Sequence, residues 1–358
     1  MLRKPNSEED GRMSPELATD PVAESAPEKL AEAYEKKTVL VTGGAGFIGS
    51  NLVRRLLELK TDKIVVLDDL SSACKWNLPQ GNRVKFIEGS LLQDEKLASA
   101  FEYRPELVFH LAAHFANQNS IDHPDKDLMI NGLGTLKMLK LAHAGHIRRF
   151  VFASSGCSVY GSHAPLPLRE DYVSLNLDTP YQITKLLGEL YSNFFYNFYG
   201  LQVAIPRFFN VYGPGEVPGK YRNVIPNFIY WALSKKPLPI TGTGEETRDF
   251  TFVGDIVTGL LRSGYLDSVV GESFNLASGR ETKILDLARL VNRLTENTEG
   301  VVFQEKRDWD KSTRRRASVD KAEKLLNYHP SADMERGVGL TIKWIKENWN
   351  RIKDDAQF

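Results

Sequence analysis

Glycines at a spacing that can hold a phosphate group occur in the segment 43–49. Gly44, Gly46 and Gly49 match the pattern G-x-G-x-x-G, and Gly43 begins a wider pattern that shares the last two glycines. Glycine allows a tight turn, so the backbone can approach a pyrophosphate at the N-terminus of the next helix. The turn follows an apolar run and precedes a helical pattern, the context that gives this motif meaning. We therefore predict a dinucleotide site, with a purely structural turn as the alternative.

A carboxylate stands where the ribose of such a ligand is expected. Asp68 follows the apolar run 63–67, about 20 residues beyond the glycines, and Asp69 is its neighbour. A carboxylate at this point accepts hydrogen bonds from the adenosine ribose hydroxyls and repels a 2′-phosphate. The pattern predicts NAD rather than NADP as the cofactor.

A pair of side chains suited to proton transfer stands at Tyr181 and Lys185. The two are four residues apart, which places them on one face of a helix, and 178–180 has the composition of a helix start. A free tyrosine has a pKa near ~10, too high for a base at neutral pH. We expect the neighbouring ammonium and the positive nicotinamide ring to lower it. The pair by itself is common on surface helices, so its meaning depends on the nucleotide fold upstream.

Apolar runs that alternate with helical patterns predict the frame for these groups. Short apolar strands separated by helices are typical of a parallel sheet covered on both faces, so we predict an α/β, Rossmann-type doubly wound fold. Beyond about residue 210 the alternation weakens, which indicates a smaller, partly separate lobe of mixed α/β structure. The apolar runs lie at 38–41, 63–67, 84–87, 107–110 and 150–153, and the strongest helical patterns at 48–59 and 127–144.

The chain divides by composition into three predicted parts. Residues 1–36 are rich in charged residues, Pro, Ala and Ser, and we expect most of them to form a flexible leader, with a short helix possible over 28–37. The predicted Rossmann domain covers 37–209 and is joined by about 250–276, and the predicted substrate lobe covers 210–249 and 277–358.

Bulk properties exclude several classes of protein. Lys and Arg total 46, as do Asp and Glu, so no basic excess favours nucleic acid. No apolar run approaches the ~18 residues that span a bilayer, and we expect no membrane association. Cys74 and Cys157 form neither a metal-binding spacing nor a disulfide framework, so we expect no metal and a cytoplasmic location.

Further motifs accompany the glycine turn and the Tyr181 and Lys185 pair. They lie at 110–113, 131–135, 154–161 and 206–214. With these motifs, the chain from about residue 37 onward resembles the extended short-chain dehydrogenase/reductase family. Within it, the chain is similar to the NAD-dependent nucleotide-sugar epimerases of the UDP-glucose 4-epimerase type.

The resemblance implies contacts for NAD and for a nucleoside diphosphate sugar, with UDP as the expected nucleotide. The implied cofactor residues are Gly43, Gly46, Phe47, Ile48, Gly49, Asp68, Asp69, Leu111, Ala112, Ala113, Asn131, Ser154, Tyr181, Lys185 and Phe208. The implied substrate residues are Asn210, Asn223, Arg248 and Arg307 near the phosphates, and Asp310 at the nucleoside ribose. The run 314–316 either contacts the sugar or faces solvent, and we favour solvent.

One position departs from the family pattern. The family has Ser or Thr four residues before the tyrosine of its Val-Tyr-Gly element, and Gly156 stands there. Ser155 or Ser158 could supply the missing hydroxyl, and we favour Ser158. We expect Cys157 to be a packing residue.

The resemblance also bears on the reaction and on assembly. Related dehydratases carry an Asp-Glu pair before Val-Tyr-Gly, and decarboxylases a Glu, whereas this chain has Cys157 and Ser158. We therefore expect 4-epimerisation through a transient 4-keto sugar. The alternatives are another redox or 3,5-epimerising member of the family, or an inactive NAD-binding regulator. The run 190–199 is too apolar all round for a helix with a solvated face. This fits the two-helix dimer contact of the resembling epimerases, so we expect a homodimer through the helices 127–144 and 181–199, with purely intramolecular burial as the alternative.

Overall fold

A short helix begins the part of the chain that the computed structural model describes, residues 27–358. This helix, α1 (Pro27–Tyr34), packs Leu30 and Tyr34 into the core, and the Tyr34 hydroxyl donates a hydrogen bond to the Leu261 carbonyl at 2.6 Å. The leader predicted to end at residue 36 is therefore corrected, because residues 27–36 are part of the fold. The rest of that prediction, 1–26, lies outside the described residues.

The strands are short and rich in β-branched and aromatic residues. They are β1 (Thr38–Thr42), β2 (Lys63–Asp68), β3 (Val84–Glu88), β4 (Leu107–His110), β5 (Arg149–Phe152), β6 (Ser154–Ser155), β7 (Val203–Phe208), β8 (Asn210–Tyr212), β9 (Leu238–Thr241), β10 (Thr247–Arg248), β11 (Phe250–Phe252), β12 (Ser273–Leu276), β13 (Thr282–Lys283) and β14 (Val301–Gln304).

Eight of these strands form one parallel sheet, in the order β12-β7-β5-β4-β1-β2-β3 with β6 beside β7. The direction of strand succession reverses between β1 and β4, and in such sheets ligands bind outside the carboxyl ends of the strands at this reversal. The predicted doubly wound fold is confirmed.

Helices cover both faces of the sheet and build the second lobe. They are α2 (Phe47–Glu58), α3 (Asp94–Phe101), α4 (Asn117–Asp122), α5 (Pro124–Asp127), a π-helical turn (Leu128–Gly134), α6 (Thr135–Ala144), α7 (Gly156–Val159), α8 (Pro180–Tyr199), α9 (Val224–Leu233), α10 (Val253–Tyr265), α11 (Ile284–Thr295), α12 (Asp320–Leu326), α13 (Met334–Glu347) and α14 (Trp349–Asp355).

Alternate residues of the central strands point to opposite faces, as strand geometry requires. Val39 and Val41 of β1 pack with α2 and α10 on one face. Leu40 packs with α3, α6 and α8 on the other. The second lobe has its own core, in which α9, α11 and α13 contribute Phe228, Leu287 and Trp344. The strand β12 follows α10, which packs in the first of these cores, and pairs with β7 at the edge of the main sheet.

Candidate active site

The glycine turn joins β1 to α2 in a geometry that side chains would block. Gly43 has φ +70°, and a Cβ there would lie 2.7 Å from the Ala112 nitrogen. A Cβ on Gly49 would overlap the Gly43 carbonyl oxygen, so this glycine lets the helix pack on the turn. Gly46 is different, because a Cβ there would meet only that oxygen, at 3.2 Å, and the residue faces a cavity. The turn therefore leaves the N-terminus of α2 open to an anion.

Asp68 ends β2 beside this turn and is held by it. Its carboxylate accepts backbone N–H bonds from Ala45 at 3.0 Å and Leu70 at 2.9 Å. Burial raises the pKa of Asp68, and these hydrogen bonds oppose the rise. Asp69 is exposed and accepts from the Ser71 N–H. Asp68 can still accept hydroxyl groups, since each carboxylate oxygen has two acceptor sites.

A cavity of about 740 Å³ runs from the glycine turn to the second lobe. Every site residue predicted from the sequence lines it except Asn131. Asn131 is buried below the cavity, where its Oδ1 accepts the His114 N–H at 2.8 Å and its Nδ2 donates to Asp127 at 2.8 Å. These bonds hold the loop after β4, and the predicted cofactor contact of Asn131 stays a prediction.

Tyr181 and Lys185 lie in the first turns of α8, which begins as the sequence predicts. Thr179 caps the helix by accepting the Gln182 N–H, and Pro180 occupies the first turn. Both side chains line the cavity, and the Lys185 Nζ lies 5.7 Å from the Tyr181 ring centroid. Lys185 donates to the Ala153 carbonyl at 2.9 Å, and burial lowers its pKa to about 8 against the pull of Asp127 and Glu189.

The protein alone does not turn Tyr181 into a base. Burial raises the pKa of Tyr181, and the nearby Asp127 and Cys157 raise it further. The lowering expected from Lys185 together with a bound nicotinamide stays a prediction, because in the protein alone burial of the phenol dominates. A positive charge bound in the cavity would favour the phenolate.

Gly156 is glycine because of an aromatic neighbour. A Cβ at this position would overlap the Phe209 ring and lie 2.6 Å from its Cζ. Ser155 and Ser158 both line the cavity, and the buried Ser158 Oγ has no hydrogen-bond partner among the described residues. Cys157 packs against the cluster that contains Tyr160 and Phe209, as expected, and it also lines the cavity, with its thiol 3.5 Å from the Asn210 Oδ1.

The second lobe presents its predicted residues to the opposite side of the cavity. Arg248 pairs with Asp310 at 2.7 Å, and burial lowers the pKa of this arginine. Asp310 is therefore the partner of a cation and not simply a free acceptor for ribose. Asn223 precedes α9 and donates to the Glu216 carboxyl at 2.9 Å, and the Arg307 guanidinium lies 5.8 Å from the Trp309 ring centroid.

Arg315 and Glu216 are among the charged cavity residues that the sequence analysis did not assign to the site. Arg315 is buried, donates to the Cys157 carbonyl at 3.1 Å and lies 3.9 Å from Asp310, whereas Arg314 pairs with Glu281 at the surface. Solvent exposure was thus right for Arg314 and wrong for Arg315. Glu216 is buried, and burial raises its pKa to about 7. The arginine run was a signal for the first residue, and nothing in the sequence pointed to the second.

Within 27–358, no three or more His, Cys, Asp and Glu side chains gather where they could hold a metal ion. No helix in this range combines the length and apolar character needed to cross a membrane.

Comparison with known proteins matches this site to an enzyme family. The family model described as the NAD dependent epimerase/dehydratase family matches residues 39–277. A UDP-glucose 4-epimerase of Mycolicibacterium smegmatis is 33% identical, covering 86% of this chain and 98% of the relative. A UDP-N-acetyl-alpha-D-glucosaminuronate decarboxylase of Bacillus cytotoxicus is 31% identical, covering 87% and 98%.

Solved structures agree with this assignment. The epimerase Mth375 of Methanothermobacter thermautotrophicus is 51% identical with a TM-score of 0.92, covering 93% of this chain and 99% of that one. The Bordetella bronchiseptica enzyme WbmF, solved with NAD+ and UDP, is 38% identical with a TM-score of 0.80, covering 90% and 96%. The predicted enzyme class and its use of NAD are thereby confirmed. The chain belongs to the NAD dependent epimerase/dehydratase family.

Proposed function

We propose that this protein is an NAD-dependent 4-epimerase of a nucleoside diphosphate sugar, with a UDP-hexose or UDP-hexuronate as substrate. The observation that carries the proposal is that one cavity joins three groups of residues. The glycine turn and Asp68 line one end, Arg248 and Arg307 line the other, and Tyr181 lies on the same cavity with Lys185.

The residues at the first end fit NAD. Gly46 leaves space at the N-terminus of α2, where backbone N–H groups would hold the pyrophosphate. Asp68 would accept the adenosine ribose hydroxyls, and Leu111, Ala112 and Ala113 would line the nucleotide path. When bound, NAD supplies a reversible hydride acceptor. WbmF, which was solved with NAD+ and UDP, supports both ligands for this chain.

The protein's own residues would orient the sugar and move its proton. Arg248, Arg307 and Asn223 would hold the diphosphate, so that the C4 hydroxyl reaches Tyr181. Tyr181 would take the hydroxyl proton as C4 gives up its hydride, which leaves a 4-keto sugar, and would return the proton once hydride comes back to the opposite face. Lys185 would stabilise the phenolate, and Ser158 or Ser155 would bond the reacting oxygen.

The side chains before Tyr160 favour epimerisation over loss of a group. Removal of water or carbon dioxide would call for an additional acid or base close to the sugar. Cys157 and Ser158 occupy the cavity there, and neither is a carboxylate. Decarboxylation is the second candidate, because one relative is named for it. A redox or 3,5-epimerising activity, or an inactive NAD-binding regulator, remains a further alternative.

A panel of UDP-sugars tests the proposal. The purified protein is incubated with UDP-glucose, UDP-galactose, their uronates and their acetamido forms, and products are resolved by NMR. We expect inversion at C4 of at least one sugar with no net consumption of NAD. Release of carbon dioxide, or stoichiometric reduction of NAD, would refute 4-epimerisation. Binding of NAD without any product would favour the regulator.

We also propose a homodimer, because apolar side chains form an exposed stripe along α8. Ile183 is 55% exposed and Phe198 71%, with Leu190 and Phe194 between them. Leu128 and Met129, in the neighbouring π-helical turn, are exposed as well. A two-fold contact between such helix pairs would remove these side chains from water. The free thiols of Cys74 and Cys157 support a cytoplasmic location.

A further inference from the structure

The short helix α4 lies between the second lobe and the catalytic helix α8. Two of its residues face the second lobe. The Gln118 Oε1 accepts the indole N–H of Trp309 at 2.8 Å, and the Asp122 carboxylate accepts the Tyr221 hydroxyl at 2.7 Å. The Gln118 amide also donates to Asp122 at 2.9 Å, which joins the two contacts.

The other side of α4 contacts the start of α8. The buried Ser120 Oγ accepts the backbone N–H of Tyr181 at 3.0 Å. The Asn117 side chain accepts the Thr179 hydroxyl at 2.8 Å. Because Thr179 caps α8, both bonds act on the turn that carries the phenol. The position of Tyr181 is therefore tied to the position of α4.

The backbone of the residue before α4 indicates that tertiary contacts hold α4 where it is. Ala116 has φ +84°, a conformation that a residue with a Cβ adopts at a cost. Strain of this kind persists only where surrounding contacts determine the backbone, and it gathers at functional sites. The four side-chain contacts of α4 are the contacts that hold the backbone of Ala116 in this conformation.

The second-lobe partners of α4 belong to the segments that would hold the substrate. Tyr221 lies two residues before Asn223, and Trp309 stands between Arg307 and Asp310. All five line the cavity. A diphosphate bound by Asn223 and Arg307 would therefore order the same two segments that bond α4.

We propose that α4 couples the substrate-binding segments to the catalytic helix, and we call α4 the latch. Gln118 and Asp122 bind the substrate segments, and Ser120 and Asn117 fix the position of Tyr181 relative to α4. The inference rests on the proposed function, in which Tyr181 transfers the proton of a UDP-sugar. Gln118, Asp122, Ser120 and Asn117 are positioning residues. Substrate binding thereby fixes the position of the Tyr181 phenol. The substrate phosphates and the phenol are then held at a set separation, so that the reacting carbon lies at Tyr181.

The test uses variants that each delete one donor, Tyr221→Phe, which keeps the ring, and Trp309→Phe, which keeps an aromatic but smaller ring, alone and together. Tyr103→Phe, at an exposed position outside the cavity lining, is the matched control. Hydrogen exchange is followed in the full chain, with and without UDP, for amides of 117–122 and of the Tyr181 turn. Each net hydrogen bond lost should speed exchange in α4 by about three- to tenfold.

The decisive result is the effect on the Tyr181 amide. We expect it to exchange faster in the double variant, and UDP to protect α4 in the parent protein but not in this variant. The value of kcat should fall about tenfold, with a smaller change in KM. Gln118→Ala should change exchange and kcat as Trp309→Phe does, and combining the two substitutions should produce no further change.

Two outcomes would overturn the latch. One is faster exchange in α4 with an unchanged Tyr181 amide, and the other is unchanged exchange throughout. Neither readout depends on turnover. A parent protein inactive on every UDP-sugar would refute the proposed function while the exchange measurement still decides whether α4 couples the two lobes.

Discussion

At the scale of single residues, burial governs the chemistry of Tyr181 and Lys185. Removing water raises the pKa of the phenol and lowers that of the ammonium to about 8, so both neutral forms are favoured. Lys185 is still mostly charged at neutral pH. A bound cation above the phenol would then tip the balance towards the phenolate, which links proton transfer to the presence of the oxidised cofactor.

Replacement of Tyr181 tests its proposed role directly. Tyr181→Phe keeps the ring and removes the phenolic oxygen that would transfer the proton, so turnover should fall by about 10²–10⁴-fold. The content of bound NAD should stay the same, because the glycine turn and Asp68 are untouched. Turnover is measured on the best UDP-sugar, and Tyr172→Phe, an exposed position, serves as control. Retained activity would rule out Tyr181 as the base.

Gly156 offers a second residue-scale test. Gly156→Ser restores the residue type typical of the family, yet its Cβ would overlap the Phe209 ring. We expect the free energy of unfolding to fall by about 1–3 kcal/mol, the usual cost of overpacking. Urea denaturation measures this change. In a Phe209→Leu background the penalty should shrink, and a more stable Gly156→Ser protein would contradict the explanation.

At the scale of elements, α8 has two tasks on different faces. One face carries Tyr181 and Lys185 to the cavity, and the other carries the stripe of exposed apolar side chains. A dimer contact on the second face would hold the first turn of α8 rigid. The same helix would then connect assembly to the geometry of the site.

A charge placed on the stripe should separate the proposed dimer. Phe194→Glu puts a carboxylate into the contact, where it would be desolvated without a partner. Light scattering should then give the mass of one chain, against two for the parent protein. The control is Leu175→Glu, because Leu175 is 91% exposed and lies outside α8. A parent protein that is already monomeric would refute the dimer.

At the scale of the whole molecule, the segment 213–223 joins the two lobes. Asn51 and Asn77 of the Rossmann lobe donate to the carbonyls of Pro214 and Gly215, at 2.9 and 2.8 Å. Glu216 is buried in this segment and accepts the Asn223 side chain. Burial raises the pKa of Glu216 from 4.5 to about 7, and Arg222 and Asn223 oppose the rise.

This carboxyl should make stability depend on pH. Between pH 4.5 and about 7 the native state holds a proton that the unfolded chain has lost, so stability falls as pH rises through this window. The difference between these two pKa values corresponds to a change of at most about 3 kcal/mol in the free energy of unfolding. Glu216→Gln keeps the acceptor for Asn223 and has no proton to lose. Its unfolding free energy should exceed that of the parent at pH 8 by more than at pH 5, and an equal difference at both would contradict the shift.

The fold and much of the site could be predicted from the sequence because both depend on short-range rules. The glycine turn, the acid at the end of β2 and the Tyr181 and Lys185 pair are set by residue type and spacing within one or two elements. Apolar alternation was sufficient to predict a doubly wound sheet. The prediction that the leader ends at residue 36 was wrong, because the short helix α1 is stabilised by the core against which Leu30 and Tyr34 pack.

Only the tertiary structure decided which side chains meet across the cavity. Arg315 lies 158 residues from the Cys157 carbonyl that it bonds, and Arg314 beside it faces solvent. The Phe209 ring leaves no room for a Cβ at residue 156, and Arg248 is the ion-pair partner of Asp310. Packing of the two lobes produces these contacts between residues far apart in the chain, and it produces the burial that shifts the pKa of Tyr181. The spacing of residues within one element does not predict such contacts. The sequence by itself therefore determined the kind of chemistry, and packing decided which groups position and tune it.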